Sequence, residues 1–180
     1  MMFEPFKPFI ASEFQVKFAT DRWEHEGAAA LRRRVFCQEQ GLFADDDGDE
    51  IDRIAIPIVA VSLLGIAADE VVGTVRIHEA APGLWWGSRL AVAPGYRRVG
   101  ALGTSLIRLA VSSAHARGCT RFLAHVQSQN ALLFQRLHWL ALEEIDLHGH
   151  PHVKMQADLD FYPPFAAAEA GFLALAKLAA

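Results

Sequence analysis

The sequence predicts one α/β domain in which a mixed β-sheet carries helices on both faces. Two long amphipathic stretches, at about 21–40 and 100–117, have helical spacing, and several short apolar runs alternate as strands do. In chain order the elements read β-α-β-β-β-α-β-α-β-β, and such an order favours helices packed against a central sheet. A chain of 180 residues is long enough to bury roughly 70% of its unfolded surface in one core.

The first half of the chain supplies four of the predicted strands and one helix. Residues 14–19 alternate as a strand, and Asp21 with Glu24 forms a capping pair for the helix that ends near Gln40. The acidic stretch 45–52 is expected to be a loop. The remaining predicted strands of this half, with a hairpin turn at 65–69 between the first two, span 56–64, 70–79 and 85–93.

The second half begins with the helix at 100–117, which Gly118 is expected to close. The elements that follow are a strand at 121–127, a helix at 130–137 and strands at 139–147 and 152–160. Because Pro163 and Pro164 interrupt regular structure, we place the domain at 1–162. The tail, 163–180, has helix-forming composition, and we expect an apolar helix that packs on the domain or on a partner, which makes a homodimer possible.

Composition excludes several classes of protein. The formal net charge is −4, whereas a nucleic-acid-binding protein is expected to carry a basic face. No apolar run reaches the ~18 residues of a membrane span, and the N-terminus lacks the basic and apolar regions of a signal peptide. Cys37 and Cys119 are too few for a disulfide framework. We therefore expect a cytoplasmic protein that binds neither nucleic acid nor membrane.

The segment 89–111 (RLAVAPGYRRVGALGTSLIRLAV) carries the strongest functional signal. An apolar strand leads through a Pro-Gly turn, an arginine pair and a glycine-spaced stretch directly into a helix. Small residues let a ligand approach the backbone, and the free N–H groups of the first helical turn attract its negative charge. The pattern predicts a diphosphate cradle, although a plain helix N-terminus with surface arginines has the same pattern. The predicted contact residues are Arg97, Arg98, Val99, Gly100, Ala101, Leu102, Gly103 and Thr104.

This segment resembles the coenzyme A loop of the GNAT N-acetyltransferase superfamily, Gln/Arg-x-x-Gly-x-Gly/Ala. The better register is Arg98-x-x-Ala101-x-Gly103, with alanine in place of the first glycine, whereas a register from Arg97 puts Leu102 where Gly or Ala belongs. Residues 130–139 (NALLFQRLHW) are similar to the family's second motif. The resemblance implies a GNAT-like acyl-CoA N-acyltransferase fold, with a mostly antiparallel sheet splayed at the cofactor site, and acetyl-CoA as the acyl donor.

The resemblance also implies how the cofactor would be held. Backbone N–H groups near Leu90, Ala91 and Val92 would pair with the pantetheine arm and stabilise the developing oxyanion. Asn130 would place its side chain against the same arm, although an Asn before a helix is equally suited to an N-cap. The family often uses a tyrosine where this chain has Phe134. The thiolate would then leave unassisted or use a different acid.

A general base is needed to take a proton from the acceptor amine. We favour Glu79, at the end of the strand beside the splayed one, with Asp52 and His125 as further candidates. Arg76 shares a strand face with His78 and is a candidate for a substrate carboxylate. Asp49 is a candidate for binding a cationic amine. Solvated surface carboxylates and a buried core histidine are the plain alternatives.

Two further segments resemble a narrower group. LRRRVFCQEQ followed by DGDEID, and later GHPHVKM, are similar to small bacterial acetyltransferases of the nitrogen-starvation group. Acyl-homoserine-lactone synthases echo the same pattern, which here comprises Arg32, Phe36, Asp49, Asp52 and Arg76. The expected activity is therefore acetyl transfer from acetyl-CoA to a primary amine of a small molecule or peptide. A synthase-like transfer of longer acyl chains and a non-catalytic acyl-CoA-binding domain are the alternatives.

No metal is expected. His148, His150 and His152 alternate as ligands on a strand would, but Gly149 and Pro151 indicate a turn and no carboxylate or cysteine completes the set. The acidic stretch lacks calcium ligands at the ends of the loop.

Overall fold

Eight strands form one sheet in this computed structural model, which describes residues 9–98 and 101–176. The strands are β1 (Glu13–Phe18), β2 (Ile56–Leu64), β3 (Ala67–Ala81), β4 (Leu84–Val92), β5 (Arg121–Gln127), β6 (Trp139–Leu147), β7 (His150–Ala157) and β8 (Phe172–Leu175). Their order across the sheet is β6-β7-β5-β4-β3-β2-β1-β8. The predicted order of elements is confirmed through β7, and the bounds of β5 and β6 are those expected from the sequence.

The pairing of β4 with β5 is the one parallel contact of this sheet within the described ranges. It runs only from Leu84 opposite Arg121 to Gly87 opposite Ala124. Because parallel neighbours need a crossover, the chain between them forms the helix α2 (Leu102–His115). Gly118, at φ +86°, follows this helix as its C-terminal glycine. Beyond Gly87 the two strands separate, which opens the middle of the sheet.

Helices cover both faces of the sheet. Along β2, Ile58 and Ala60 belong to the main core with residues of α2, whereas Val59 and Val61 pack with Ala28 of α1 (Arg22–Arg32). This alternation is the period-2 pattern expected for a strand buried on both sides. The third helix, α3 (Ala131–Arg136), follows β5.

The start of α1 confirms the predicted capping pair. The carboxylate of Glu24 accepts hydrogen bonds from the backbone N–H of Asp21, at 3.1 Å, and from Lys17 Nζ, at 2.7 Å. The first of these bonds satisfies a backbone donor at the helix start that has no intrahelical partner. The end of this segment differs from the expectation, because residues 33–39 continue α1 as a π-helix rather than as further α-helix.

The predicted C-terminal helix is wrong over the described part of the tail. Residues 172–175 instead form the edge strand β8, antiparallel to β1 in the same sheet. Phe172 and Ala174 pack against the main core, while Leu173 and Leu175 are exposed. Alanine-rich composition favours a helix, but the open edge of β1 offers backbone partners that override this weak preference. None of the described helices is long and apolar enough to cross a membrane.

Candidate active site

A cavity of about 620 Å³ lies where β4 and β5 separate. The closed end of the gap is the last parallel pair, Gly87 with Ala124. Ile107 and Ala110 of α2 line the cavity on one face of the sheet, and Phe36 and Phe43 line it on the side of α1. The cavity therefore passes through the sheet and has a wall on each face.

A bulge in β4 shapes this gap. Arg76 of β3 is opposite Ser88, and Thr74 is opposite Ala91, so β4 holds one more residue than β3 between these pairs. Arg89, inside the bulge, has φ +56°, in the left-handed region that is unfavourable for a residue with a side chain. Bulges bend a strand and often lie beside active sites. This one turns β4 away from β5.

The predicted strand residues Leu90, Ala91 and Val92 lie on the separated part of β4. Leu90 lines the cavity, Ala91 is buried, and Val92 is half-buried. On its other edge this part of β4 still pairs with β3, as in Gly73 opposite Val92. The edge that faces β5 has lost its strand partner, so backbone N–H and C=O groups are directed into the gap. The Val92 carbonyl accepts a hydrogen bond from Arg97 Nε at 3.0 Å.

The first turn of α2 follows this strand. The N-cap is Ala101, whose side chain cannot cap the helix, and the first helical bond runs from Ser105 N–H to the Ala101 carbonyl at 2.8 Å. The N–H groups of Leu102, Gly103 and Thr104 precede that bond and have no intrahelical acceptor. A Cβ built on Gly103 meets no atom within 4 Å. The predicted contacts Val99 and Gly100 lie outside the described residues.

The two arginines of the loop differ. Arg97 donates to both carboxylate oxygens of Glu39, with an Nη2–Oε2 distance of 2.8 Å, so its guanidinium is already occupied by a protein carboxylate. The expectation that Arg97 holds phosphate is therefore not supported by this structure. Arg98 is exposed and remains a candidate.

Two residues that follow β5 along the chain also line the cavity. Asn130 is exposed at the N-cap position of α3, makes no side-chain capping bond and lines the cavity. The capping alternative for Asn130 is therefore not observed. Phe134 is buried, lines the cavity and meets the Trp139 ring edge-on at 5.1 Å.

Six charged side chains form a closed ring on the α1 side, which we name the Asp–Arg ring. Each arginine in it binds two aspartates, and each aspartate binds two arginines. In order the members are Arg32, Asp47, Arg89, Asp49, Arg76 and Asp52. The ring joins α1, the acidic loop, β3 and the β4 bulge.

Membership of this ring corrects three predicted roles. Arg76 is 2% exposed and donates to both oxygens of Asp49, to Asp52 and to Ser88, so it is not available for a substrate carboxylate. Asp49 is occupied in the same way and cannot serve a cationic amine. Burial raises the pKa of Asp52, but hydrogen bonds from Arg32 and Arg76 outweigh that effect and hold the pKa well below its usual range. Such a carboxylate is a poor general base.

Glu79, the favoured base, lies elsewhere. It is exposed in the hairpin between β3 and β4, and its carboxylate accepts the Gly83 backbone N–H at 2.9 Å. It pairs with Trp85, two residues beyond the closed end of the gap, and is not among the residues that line the cavity. The prediction failed because β3 extends past the site into the hairpin.

Four imidazoles line the cavity, and two of them, His125 and His78, have a lowered pKa. His125 is exposed at the mouth, with its ring 4.7 Å from that of Trp86. Partial burial, together with Lys154 and His152, lowers its pKa. His78 is 8% exposed, and its Nδ1 has no hydrogen-bond partner among the described residues. Burial and Arg76 lower the pKa of His78. Sequence reasoning did not assign His78 a role, although its alternation with Arg76 was visible.

The described residues contain no group of three or more side chains that could hold a metal ion. His148 contacts Phe43, with ring centroids 4.9 Å apart, and the Nδ1 of His152 lies 2.9 Å from the His150 carbonyl.

A sheet opened between two parallel strands, beside the uncapped N-terminus of a connecting helix, is the arrangement that the resemblance to GNAT N-acyltransferases implies. The sequence agrees with the model of the acetyltransferase (GNAT) family over residues 18–139. The chain belongs to this family and is an acyltransferase. Over 142 residues it is 30% identical to the Bacillus subtilis (strain 168) protein named "Putative acetyltransferase BSU40680", covering 78% of this chain and 93% of that protein.

Solved structures share the fold. A Lactobacillus plantarum protein named "putative N-acetyltransferase" superposes with a TM-score of 0.71 at 23% identity, over 80% of this chain and 97% of that one. A Pseudomonas aeruginosa acyl-CoA N-acyltransferase gives 0.64 at 18%, over 81% and 99%. The CoA-dependent acyl-homoserine lactone synthase BjaI gives 0.66 at 15%, over 83% and 86%. The narrower resemblance to the nitrogen-starvation group stays a prediction.

Proposed function

We propose that this protein is an N-acetyltransferase that moves an acetyl group from acetyl-CoA to a primary amine by direct attack in a ternary complex. The observation that carries the proposal is the cavity between β4 and β5, which is lined by Leu90 of the separated part of β4 and by Ile107 and Ala110 of α2, the helix whose N-terminus is uncapped. The two free, buried thiols, Cys37 and Cys119, support a cytoplasmic location as part of this proposal.

The donor would lie along the separated edge of β4. The N–H groups of Leu102, Gly103 and Thr104 would bind the pyrophosphate of coenzyme A, helped by the helix dipole and by the exposed Arg98. The pantetheine arm would pair with backbone of Leu90 to Val92 and meet Asn130 on the other side of the cavity. Anchoring the distant end of the donor aligns its thioester.

The acceptor nitrogen would attack the thioester carbonyl from the α1 side. A new C–N bond forms, the C–S bond breaks, and the sulfur leaves as a thiolate that takes a proton from solvent. Phe134 has no proton to give, and a thiol of pKa about 8.5 is a tolerable leaving group without an acid. We assign proton acceptance from the amine to His125, because its imidazole lines the cavity and a lowered pKa keeps it neutral at pH 7.

Calorimetry with acetyl-CoA tests the donor site directly. We expect wild type to bind, and we expect Arg98→Glu to weaken binding about tenfold, since it replaces an attractive charge near phosphate with a repulsive one. Arg22→Glu is the matched control, because Arg22 is exposed at the start of α1 away from the cavity. Absence of heat with both coenzyme A and acetyl-CoA would refute the proposal.

A second candidate is transfer of longer acyl chains, as in acyl-homoserine-lactone synthases. It is favoured by the Asp–Arg ring, which brings together Arg32, Asp49, Asp52 and Arg76 from the sequence pattern shared with those enzymes. Thiol release from acetyl-, butyryl- and hexanoyl-CoA distinguishes the two. A preference for hexanoyl-CoA supports the synthase-like activity, whereas tight coenzyme A binding without turnover of any thioester supports a non-catalytic domain.

A further inference from the structure

The acceptor half of the cavity, on the α1 side of the sheet, carries several ring-bearing side chains. Four of these side chains form two contacting pairs. The Phe43 ring lies 4.9 Å from His148, and the Trp86 ring lies 4.7 Å from His125. The Arg89 guanidinium, which also lines the cavity, lies over the Phe43 ring, 4.5 Å from its centroid. Among the ring-bearing lining residues are Phe36, Phe43, Trp86, His125 and His148.

The charges at this cavity are already matched. Asp49 is the carboxylate among its described lining residues, and it is bound by Arg76 at 2.7 and 2.8 Å and by Arg89 at 3.3 Å. The two arginines that reach the cavity, Arg76 and Arg89, each bind two aspartates of the Asp–Arg ring. Both guanidinium charges are therefore compensated by protein carboxylates, and neither group needs an anionic ligand.

A bound acceptor is affected by this arrangement in two ways. A second ammonium group on the acceptor would lose its hydration on entering the cavity and find no free carboxylate there. A carboxylate on the acceptor would have to compete with the aspartates for arginines that are already bound. Burying an unpaired charge is strongly unfavourable. An aromatic ring, in contrast, gains apolar contact and edge-to-face or offset stacking with Phe43 and Trp86.

We propose that the acceptor is a primary amine carried on an aromatic body, with no second cationic group and no carboxylate. The assignment rests on the proposed acyl transfer, and it names the substrate class of the same site. The amine would reach the thioester through the gap beside Gly87, with its ring against Phe43 and Trp86 and its nitrogen towards His125. Phe43 and Trp86 are half-buried, so each side chain keeps surface that can contact a ligand.

A panel of four amines tests this class, with thiol release from acetyl-CoA as the measurement. We expect kcat/KM for 2-phenylethylamine to exceed that for spermidine and for phenylalanine by at least about tenfold, the effect of one unpaired charge. Hexylamine, which has no ring, is expected to be intermediate. Equal or greater efficiency with spermidine or phenylalanine overturns the charge argument, and equal efficiency with hexylamine overturns the aromatic one.

Two variants test whether the aromatic acceptor binds against Phe43 and Trp86. Phe43→Leu and Trp86→Leu are each expected to raise KM for 2-phenylethylamine about fivefold, because each removes one stacking surface. The dissociation constant of acetyl-CoA, measured by calorimetry, is expected to change less than twofold. Phe161→Leu is the matched control, since Phe161 stacks on His138 away from the cavity. Unchanged KM in both wall variants overturns the proposed binding position.

The two readouts separate failure of this inference from failure of the proposed function. Acetylation of spermidine alone contradicts the aromatic acceptor and leaves acetyl transfer standing. Loss of thiol release with every amine, while acetyl-CoA still binds, contradicts both the acceptor class and the transfer, and leaves an acyl-CoA-binding domain.

Discussion

Arg76 and Asp49 are joined by two parallel hydrogen bonds, of 2.7 and 2.8 Å, that tie the acidic loop to the middle of β3. Arg76 is 2% exposed, and the side chain of Asp49 is 35% exposed. A buried guanidinium requires such partners, because an uncompensated charge in the interior is costly. The acidic loop, which looks like solvated surface in the sequence, is therefore part of the support for the site.

Replacing Asp49 by Asn is expected to lower the free energy of unfolding by roughly 2 kcal/mol, between the values for exposed and buried ion pairs. Asp52 still contacts Arg76 at 2.7 Å, so part of the compensation remains. Urea denaturation at pH 7 measures the change. The neighbouring exposed residue provides the control, and Glu50→Gln is expected to stay within about 0.5 kcal/mol of wild type. Equal effects of the two changes would contradict a structural role for the pair.

The same pair predicts how stability depends on pH. Hydrogen bonds from Arg76 lower the pKa of Asp49, and those from Arg32 and Arg76 outweigh burial and lower the pKa of Asp52. A carboxyl group whose pKa is lower in the folded state stabilises the fold above its unfolded pKa, about 3.9. That stabilisation is lost as pH falls below about 4 through the folded pKa values.

The measurement is the free energy of unfolding between pH 7 and pH 3, compared with that of Asp49→Asn. The difference between the two proteins is expected to be constant above about pH 5 and to shrink below pH 4, where the wild-type carboxylate takes up a proton. A difference that grows on acidification would contradict the sign of the pKa shift.

The left-handed backbone of Arg89 in the β4 bulge has an energetic cost that a pair of variants can measure. Its φ of +56° is unfavourable for a residue with a Cβ. Arg89→Ala and Arg89→Gly both remove the bonds to Asp47 and Asp49, but only glycine relieves the backbone. We expect the glycine variant to be the more stable by about 1 kcal/mol in urea denaturation. If alanine is equally stable or better, the left-handed conformation is not maintained at this position.

The fold was predictable in its main lines because burial imposes the periods of strands and helices on the sequence. The runs at 121–127 and 139–147 begin and end where β5 and β6 do. The site was less predictable, because its contacts join residues far apart in the chain. Asp52 lies 20 residues from Arg32 and binds it. No local sequence pattern indicates that the Asp52 carboxylate is occupied by this arginine. The described part of the tail forms β8 rather than a helix, and the homodimer stays a prediction.

His125 predicts the pH dependence of turnover. Burial, together with Lys154 and His152 of β7, lowers its pKa, while Glu143 of β6 opposes the shift. A neutral imidazole is the form that accepts a proton, so kcat/KM is expected to fall as pH decreases through a value below 6.5. His125→Gln is expected to lower kcat by about 10²–10⁴ and to remove this acidic limb.

The control for His125 is His25→Gln, because His25 is exposed on α1 and does not line the cavity. The dissociation constant of acetyl-CoA is expected to stay the same in both variants. If His125→Gln retains the acidic limb, another group takes the proton, and the other imidazoles that line the cavity, those of His78, His148 and His152, are then the candidates.

Gly171 predicts how firmly the tail is held on the sheet. It has φ +68°, and a Cβ at this position would collide with the Val16 carbonyl oxygen of β1. Gly171→Ala must therefore displace β8, whereas Gly41→Ala, at φ +63° with open space around it, meets only the backbone cost of about 1 kcal/mol. Hydrogen exchange measures this difference. The amides that pair β1 with β8 are expected to exchange faster in Gly171→Ala and at the wild-type rate in Gly41→Ala. Equal exchange in both variants would mean that Gly171 does not pack closely against β1.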